Sequence, residues 1–380
     1  MDNMYRLPTP SFESELTGLL FDIERLRANV GLGTTPIETY RELHALFSTV
    51  MSVISARIEG NHTTVFDALD NAQPTSQAAR EDRFHEITNI TEAALYLENL
   101  DPTQPFTHTM IRQLHALAVD GLTREGDRTP GDYRSVDVAI GGSQHVPPSW
   151  VTVHAEMSSL LDFANTNFPP HKQILQIALA HHRFVWIHPF TNGNGRVSRL
   201  FTYAMLRRTV FSTRGYSALN PTSVFGNDRS LYMSALEQAD DLSEEGNMHW
   251  ATFFAQGIRG DLKRVVALQD HDYVSNSLVG PVIDSLYSSG TIDSATSDIL
   301  KLALRVGRIK SADLVPILGR DSSHRTRIIK KLLNQQLIKQ SDTGPRFYTL
   351  SLARGPLAHR IIRKLDELGF MPHILADDQP

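Results

Sequence analysis

Apolar residues recur at helical spacing along most of this chain of 380 residues. Between residues 41 and 58 they fall close to the i, i+3, i+4, i+7 pattern of a helix with one buried face. The apolar positions there are Leu43, Leu46, Phe47, Val50, Val53 and Ile54. Equivalent patterns, separated by proline, glycine and Asp-Pro breaks, predict a mainly α-helical protein. The predicted helices cover residues 14–30, 37–59, 83–98, 107–120, 151–167, 172–187, 194–207, 228–240 and 247–270.

One stretch before the predicted helix at 151–167 departs from this spacing. Val136, Val138 and Ile140 alternate with other residues, and two glycines follow them as a turn. His145 and Val146 come next, and two prolines end the stretch. This alternation predicts a short β-hairpin within an otherwise helical region.

The chain after residue 270 has a different pattern. The predicted elements are helices at 293–306, 311–318 and 322–335, followed by hairpin strands at 337–340 and 346–350. This order is that of a winged helix-turn-helix. Pro316 removes a hydrogen bond inside the second of these helices, which predicts that the helix is short or kinked.

The helix predicted at 322–335 is rich in basic residues, and Ser322 or Ser323 can cap its start. The basic residues are His324, Arg325, Arg327, Lys330 and Lys331. A basic recognition helix is typical of proteins that contact DNA or RNA phosphates. A winged helix also serves protein contact and dimerisation, with its charges solvated. The sequence leaves DNA binding and a homodimer open.

These patterns divide the chain into an N-terminal helical region at 1–100, a central core at 101–270 and a winged-helix-like domain at 271–380. A formal net charge of −5 gives no overall attraction to nucleic acid or to anionic membranes. The chain has no cysteine, which excludes disulfides, thiolate metal sites and a cysteine nucleophile. No apolar run is long enough for a transmembrane helix, and residues 1–6 do not resemble a secretion signal. We therefore expect a cytoplasmic protein.

The densest candidate chemistry lies between His188 and Arg199, in the sequence His-Pro-Phe-Thr-Asn-Gly-Asn-Gly-Arg-Val-Ser-Arg. A histidine can accept a proton near neutral pH. Gly193 and Gly195 permit backbone conformations in which N–H groups converge on an anion, and a helix that starts here adds positive charge. Arg196 and Arg199 share one helix face and can bind phosphate oxygens. The segment therefore predicts a polyphosphate site with a base beside it.

This segment resembles the core motif of the Fic domain, His-x-Phe-x-(Asp/Glu)-Gly-Asn-Gly-Arg-x-x-Arg. The resemblance implies a Fic helical bundle and the transfer of AMP from ATP to a Ser, Thr or Tyr hydroxyl of a target protein, and of the chain itself. It implies that His188 is the catalytic base. It assigns ATP and phosphate binding to Gly193, Asn194, Gly195, Arg196, Val197, Ser198 and Arg199.

One motif position differs from the family pattern. Asn192 stands where the family has an acidic residue that helps to hold a magnesium ion on the nucleotide. The amide oxygen of Asn192 can still ligate Mg²⁺ or Mn²⁺, but without a negative charge. We therefore expect weaker or altered metal dependence, and the preferred nucleotide stays open.

A second motif lies far upstream, at the end of the helix predicted at 37–59. Ser55 and Glu59 are four residues apart and share one helix face, and a carboxylate at a helix C-terminus opposes the helix dipole. The segment resembles the family's inhibitory motif, Ser/Thr-x-x-x-Glu-Gly/Asn. This resemblance implies that Glu59 pairs with Arg199 and so excludes ATP or misaligns its α-phosphate.

The resemblance also gives the predicted hairpin a function. In the family a flap before the core helices holds the target segment by strand addition. This implies a docking role for Val138, Ala139, Ile140 and Gly141. For the adenine or ribose, Asn227 and Tyr232 are the nearest candidates, with a buried structural role as the alternative for Tyr232.

Three alternatives remain beside a transferase. A zinc site of His181, His182 and His188 is disfavoured, because adjacent helical residues point about 100° apart and no Glu and His at i, i+4 spacing complete the set. The chain could be a DNA-binding regulator whose core only senses nucleotide. It could also remove AMP from a modified protein, with Glu59 orienting water.

Overall fold

The computed structural model describes residues 4–71, 82–123, 126–209, 223–372 and 375. Helices dominate this part of the chain, so the prediction of a mainly α-helical fold is confirmed. The helices of the first 273 residues are α1 Glu15–Arg27, α2 Ile37–Ile58, α3 Val65–Asn71, α4 Asp82–Asn99, α5 His108–Val119, α6 Val153–Asn165, α7 Pro170–Ile187, α8 Asn194–Thr209, α9 Ser223–Gly226, α10 Arg229–Ala239, α11 Glu244–Gln269 and α12 His271–Tyr273. The predicted helices up to residue 270 are present, with ends that differ by at most three residues. The short α3 was not predicted.

Side-chain caps explain several of these helix starts. Ser14, Thr107, Asp228 and Ser243 each accept a hydrogen bond from a backbone N–H in the first turn of the helix that follows. In α7 a proline occupies the first turn, where no intrahelical N–H bond is lost. Local side-chain chemistry therefore accounts for where these helices start.

The apolar helix α7 lies at the centre of the molecule and packs against α6, α8 and α11. Its residues Ala178 and Phe184 are fully buried, and the indole of Trp250 in α11 donates a hydrogen bond to the Ala178 carbonyl at 2.6 Å. The residues that follow α7 are therefore held by a largely buried helix.

The β-hairpin predicted at 136–146 is wrong. The segment contains no strand, and only a turn at residues 141–142 matches the prediction. Side chains hold the segment instead of a ladder: Arg134 donates to the Val136 carbonyl at 3.0 Å, and Asp137 accepts from the Trp150 N–H at 2.8 Å. His145 also contacts the Trp186 carbonyl at 2.8 Å. The alternating apolar residues of this segment therefore do not form a paired β-strand.

The remaining elements follow a π-helical turn at Val274–Leu278. They are α13 Val279–Ser288, α14 Ser294–Val306, a 3₁₀ turn at Ser311–Leu314, α15 Val315–Leu318, α16 Ser322–Asn334, β1 Ile338–Gln340, β2 Tyr348–Leu350 and α17 Gly355–Glu367. The strands are antiparallel, with Ile338 opposite Leu350, and Tyr348 also bridges to Ile309. The predicted order of three helices and a hairpin is present, and the second helix is short as Pro316 predicts. The winged-helix assignment stays a prediction, while α13 and α17 were not predicted.

The basic residues of α16 differ in their surroundings. Arg325 is 9% exposed and donates to the Gly319 carbonyl at 2.7 Å, so its guanidinium serves the fold and does not face outward. Lys331 lies 3.7 Å from Asp293. Arg327 and Lys330 are exposed. Within the described ranges, no helix combines the length and apolar character needed to cross a membrane.

Candidate active site

Residues 188–193 form the loop between α7 and α8. His188 ends α7 in a left-handed conformation, with φ 52° and ψ 61°, and its N–H donates to the Phe184 carbonyl at 3.1 Å. The side chain of Asn194 makes two hydrogen bonds to the backbone of Phe190, at 2.9 and 2.8 Å. Asn194 therefore braces the loop with its side chain, and Phe190 is fully buried beneath it.

The protonation state of His188 follows from its contacts. Its Nδ1 lies 3.2 Å from the Val185 carbonyl oxygen, which can only accept, so Nδ1 carries the hydrogen. Burial lowers the pKa of His188 to about 4, against the opposing effect of this hydrogen bond. The imidazole is therefore neutral at pH 7, with the lone pair on Nε2.

Arg134 had no predicted role, and it holds the loop from the other side. Its guanidinium is buried and donates to the carbonyls of His188 at 2.8 Å and Ile187 at 3.4 Å. It also bonds the carbonyls of Val136 and Pro148, and its own N–H donates to the Pro189 carbonyl. One side chain thus joins the predicted flap segment to the candidate base. A buried arginine after a turn has no distinctive sequence signal.

The loop leads directly into the N-terminus of α8. Gly193 has φ 74°, and a Cβ there would lie 2.8 Å from Val119, so both the conformation and the space require glycine. A Cβ on Gly195 would collide with the carboxylate of Glu59. The start of α8 therefore faces a carboxylate, at a helix end that favours negative charge.

Arg199 is held by two residues of α2 and its cap. Its Nε donates to the Ser55 hydroxyl at 2.9 Å, and its Nη2 donates to the Ser55 carbonyl at 3.0 Å and to Glu59 Oε1 at 2.7 Å. Burial alone would raise the pKa of Glu59, but the guanidinium groups of Arg199, Arg196 and Arg229 together lower it. Glu59 is therefore an anion at neutral pH, and the pair that the inhibitory motif implies is present.

Arg196 has a carboxylate partner that the sequence did not suggest. Its Nη1 lies 3.2 Å from Glu86 Oε1 of α4, and both side chains are at most 5% exposed. The other oxygen of Glu86 accepts from the Asn61 amide at 2.8 Å. Two residues after Glu59, Asn61 thus links the end of α2 to this second pair. Glu86 lies next to Ile87 among the buried positions of α4, and a glutamate at such a position was the signal that could have indicated a buried ion pair.

Tyr232 is buried behind Arg199. Its hydroxyl lies 3.0 Å from His181 Nε2, and the Nδ1 of His181 lies 2.8 Å from the Thr202 hydroxyl, which donates to the Ser198 carbonyl. His181 therefore donates through Nδ1 and accepts from Tyr232. Burial raises the pKa of Tyr232 to about 12, against the opposing effect of the Arg199 guanidinium, so Tyr232 is a buried neutral phenol.

Other predicted site residues have varied positions. Val197 is fully buried and its N–H donates to the Gly193 carbonyl, while the hydroxyl of Ser198 donates to the Gly195 carbonyl at 2.8 Å. Asn227 is half-buried between α9 and α10. In the flap segment Ala139 and Gly141 are exposed, and Val138 and Ile140 are half-buried.

Both oxygens of Asn192 accept hydrogen bonds from neighbouring protein groups. Its Oδ1 accepts from the Gly193 N–H at 2.7 Å, and its carbonyl accepts from His115 Nε2 at 3.1 Å. Burial lowers the pKa of His115 to about 4, so this imidazole is neutral. Among the residues that the structure describes, no group of three His, Asp or Glu side chains is placed to hold a metal ion. A metal-binding role for Asn192 stays a prediction.

Comparison with known proteins supports the identification of the central region. Residues 105–206 match the model of the Fic/DOC family. A protein adenylyltransferase Fic of Nematostella vectensis is 28% identical over 165 residues, which cover 41% of this chain and 34% of that protein. The one of Drosophila willistoni is 34% identical over 112 residues, which cover 29% of this chain and 20% of that protein. The chain thus spans about a third or less of these relatives.

Solved structures show the same fold over a longer range. A Fic family protein from Desulfovibrio desulfuricans superposes with a TM-score of 0.55 and 20% identity, over 91% of this chain and 98% of that one. A Fic domain containing signaling protein from Bacteroides thetaiotaomicron has a TM-score of 0.51 and 19% identity, over 67% of this chain and 97% of that one. Residues 105–206, which match the model of the Fic/DOC family, carry the segment from His188 to Arg199.

Proposed function

We propose that this protein transfers AMP from ATP to a Ser, Thr or Tyr hydroxyl of a target protein, and to itself. One observation carries the proposal: the carboxylate of Glu59 lies at the N-terminus of α8, bound by Arg199 and close to two further guanidinium groups. A helix N-terminus with several arginines is a site for phosphate oxygens, and a carboxylate occupies it here. The relatives named protein adenylyltransferase Fic support the choice of ATP and AMP.

In this mechanism the target hydroxyl lies between the α-phosphorus of ATP and His188. Nε2 of His188 accepts the hydroxyl proton while the oxygen attacks the phosphorus, and the bond between the α-phosphorus and the bridging oxygen breaks to release pyrophosphate. The neutral Nδ1–H form of His188 supports this role, because its lone pair is on the free nitrogen. Arg199 and the start of α8 stabilise the negative charge of the phosphates. The rate enhancement then comes from positioning of the reactants and from electrostatic stabilisation.

The flap segment supports a protein as the acceptor. Among the described residues, Val138, Ala139 and Gly141 take part in no backbone hydrogen bond, so their N–H and C=O groups are available. A target strand added here would be held through its backbone, with limited dependence on its side chains. Arg134 hydrogen-bonds both to Val136 at the start of the flap segment and to His188. A hydroxyl on a target strand docked at this segment would therefore lie next to the base.

In the form described here, the proposed enzyme is inhibited. Glu59 and Ser55 occupy the guanidinium that would bind the terminal phosphates, so ATP is excluded or held with its α-phosphate displaced. A misplacement of about 1 Å can reduce a rate on the order of a hundredfold.

The test uses ATP labelled either at the α- or at the γ-phosphate, with Mg²⁺ or Mn²⁺, and the purified Glu59→Gly variant. We expect label from α-labelled but not γ-labelled ATP to appear on protein, at a rate at least about tenfold above the parent, because the guanidinium is freed. Adding His188→Ala to Glu59→Gly should remove the transfer while ATP still binds. Equal labelling of parent and Glu59→Gly would contradict inhibition by Glu59.

The same assay separates removal of AMP from its transfer. A labelled, AMP-modified target is incubated with the parent and with Glu59→Gly. Release of AMP by the parent that is lost in Glu59→Gly would assign Glu59 to orienting water, and would replace the proposal.

A further inference from the structure

Helix α2, which ends at Glu59, is also bound near its other end. It is a continuous helix of 22 residues and is roughly 33 Å long at 1.5 Å per residue. Its last turn and cap bind Arg199 through Ser55 and Glu59. Its first turns contact the C-terminal unit, by which we mean residues 293–354, the predicted winged helix and the loop after it. One helix therefore joins this unit to the candidate active site.

The main contact at the start of α2 is made by Glu42. Its Oε1 accepts from Lys339 Nζ of β1 at 2.6 Å, and its Oε2 accepts from the N–H groups of Leu352 at 3.0 Å and Ala353 at 3.4 Å. The Glu42 side chain is 5% exposed. A buried carboxylate with a cation and two N–H donors is held in one place, because any shift leaves a charge unpaired.

A second contact lies one turn earlier. Gly307 follows α14 with φ 78°, and a Cβ built on it would lie 2.5 Å from the Cβ of Pro36 and 3.1 Å from Glu38 Oε2. Arg308 lies 3.8 Å from Glu38 Oε1. The backbone of the C-terminal unit is thus in direct van der Waals contact with the start of α2.

The helix between these contacts cannot absorb a displacement. Leu46, Phe47, Val50, Val53 and Ile54 are each at most 1% exposed, so the middle of α2 is packed on the core. Packed helices shift between discrete positions and do not stretch. A change in how Glu42 is held therefore reaches the cap at Glu59.

We propose that Glu42 and Lys339 are positioning residues that keep α2 where Glu59 covers Arg199, so that the C-terminal unit controls access of ATP to the Fic domain. This inference rests on the proposed function, because it requires that Glu59 inhibits transfer. Release of Lys339 from Glu42 lets α2 move and frees Arg199.

The experiment compares Lys339→Glu in two backgrounds, the parent and Glu59→Gly. In the parent we expect the initial rate of AMP transfer to rise by about tenfold, through a lower KM for ATP, because the charge reversal shifts α2 away from its inhibitory position. In Glu59→Gly the same substitution should leave the rate unchanged, because no inhibitory carboxylate remains. Glu42→Gln should show the same dependence on the background.

Two control variants guard against a general effect of surface charge. Lys330→Glu reverses an exposed lysine of α16, and we expect no change in either background. Lys339→Arg keeps a cation beside Glu42 and should retain inhibition. Thermal melting of all variants checks that they are folded.

The outcomes separate the two proposals. If Glu59→Gly raises transfer and Lys339→Glu does not, coupling through α2 is wrong while the proposed function stands. If Lys339→Glu changes the rate by the same factor in both backgrounds, its effect does not pass through Glu59 and the inference is overturned. If Glu59→Gly itself transfers no AMP, the proposed function is contradicted, and the inference that rests on it is contradicted with it.

Discussion

The Nε of Arg134 donates a hydrogen bond to the carbonyl oxygen of His188 at 2.8 Å, although the two residues are 54 positions apart. This bond holds the loop that carries the candidate base. We predict that Arg134→Lys in the Glu59→Gly background lowers kcat on the order of a hundredfold, because lysine cannot reach several carbonyls at once and the imidazole shifts. The KM for ATP should change little, since Arg199 is untouched.

The measurement is a pair of kcat and KM values from AMP incorporation, with a melting curve for each variant. Arg112→Lys is the matched control, because Arg112 is a half-exposed arginine that pairs with Asp132 nearby. A rise in KM without a fall in kcat would show that Arg134 acts on ATP binding and not on the base.

The pH dependence of transfer provides an independent check on His188. Because burial lowers the pKa of His188 to about 4, the imidazole stays unprotonated as the pH falls from 7.5 to 5. We predict that kcat/KM of the Glu59→Gly variant varies little over this range, whereas a base with an ordinary pKa near 6.5 would lose about thirtyfold. Glu59 raises the pKa of His188, so its removal shifts this pKa further down and leaves the direction unchanged.

Binding of ATP, measured at each pH, separates titration of the nucleotide from titration of the enzyme. A midpoint near pH 6.5 in kcat/KM, with constant ATP binding, would contradict a buried neutral His188. The parent should not be activated by mild acid, because the pKa of Glu59 is itself lowered and the pair with Arg199 persists.

Asn192 offers a test of metal dependence. We predict that Asn192→Asp, in the Glu59→Gly background, lowers the Mg²⁺ concentration for half-maximal transfer by several-fold, about fivefold or more, because a carboxylate is a stronger ligand than an amide. The aspartate can still accept the Gly193 N–H, so the loop should keep its shape. A Mg²⁺ titration of AMP incorporation measures the effect, with Asn192→Ala as the control, and an unchanged titration would argue against a metal near this position.

The sequence was most informative where chemistry is local. The helical spacing of α2 and the glycines at the start of α8 act within a few residues, and these elements were predicted with small errors at their ends. The amphipathic α17 was missed although its apolar residues recur at helical spacing, at Leu357, Ile361, Ile362 and Leu365. The helix α13 was also missed, and it carries Pro281 in its first turn.

Contacts between residues far apart in the chain could not be predicted from the sequence. Nothing near Glu86 indicates that it pairs with Arg196, and nothing near Arg134 indicates the carbonyls that it binds. The predicted hairpin at 136–146 was wrong for the same reason, because alternation indicates an extended strand but does not identify the strand that pairs with it. The pairing of Glu59 with Arg199 was anticipated only through the resemblance to a family motif, since their separation of 140 residues hides it from any local pattern.

That separation has a consequence for how the molecule is made. A ribosome adding roughly 5–20 residues per second produces Glu59 on the order of 10 s before Arg199. Glu59 is therefore already synthesised when Arg199 leaves the ribosome, and the two side chains can pair as soon as both helices form. Lys339 is synthesised after both of these residues, so its ion pair with Glu42 is added to an α2 helix that can already be paired with Arg199.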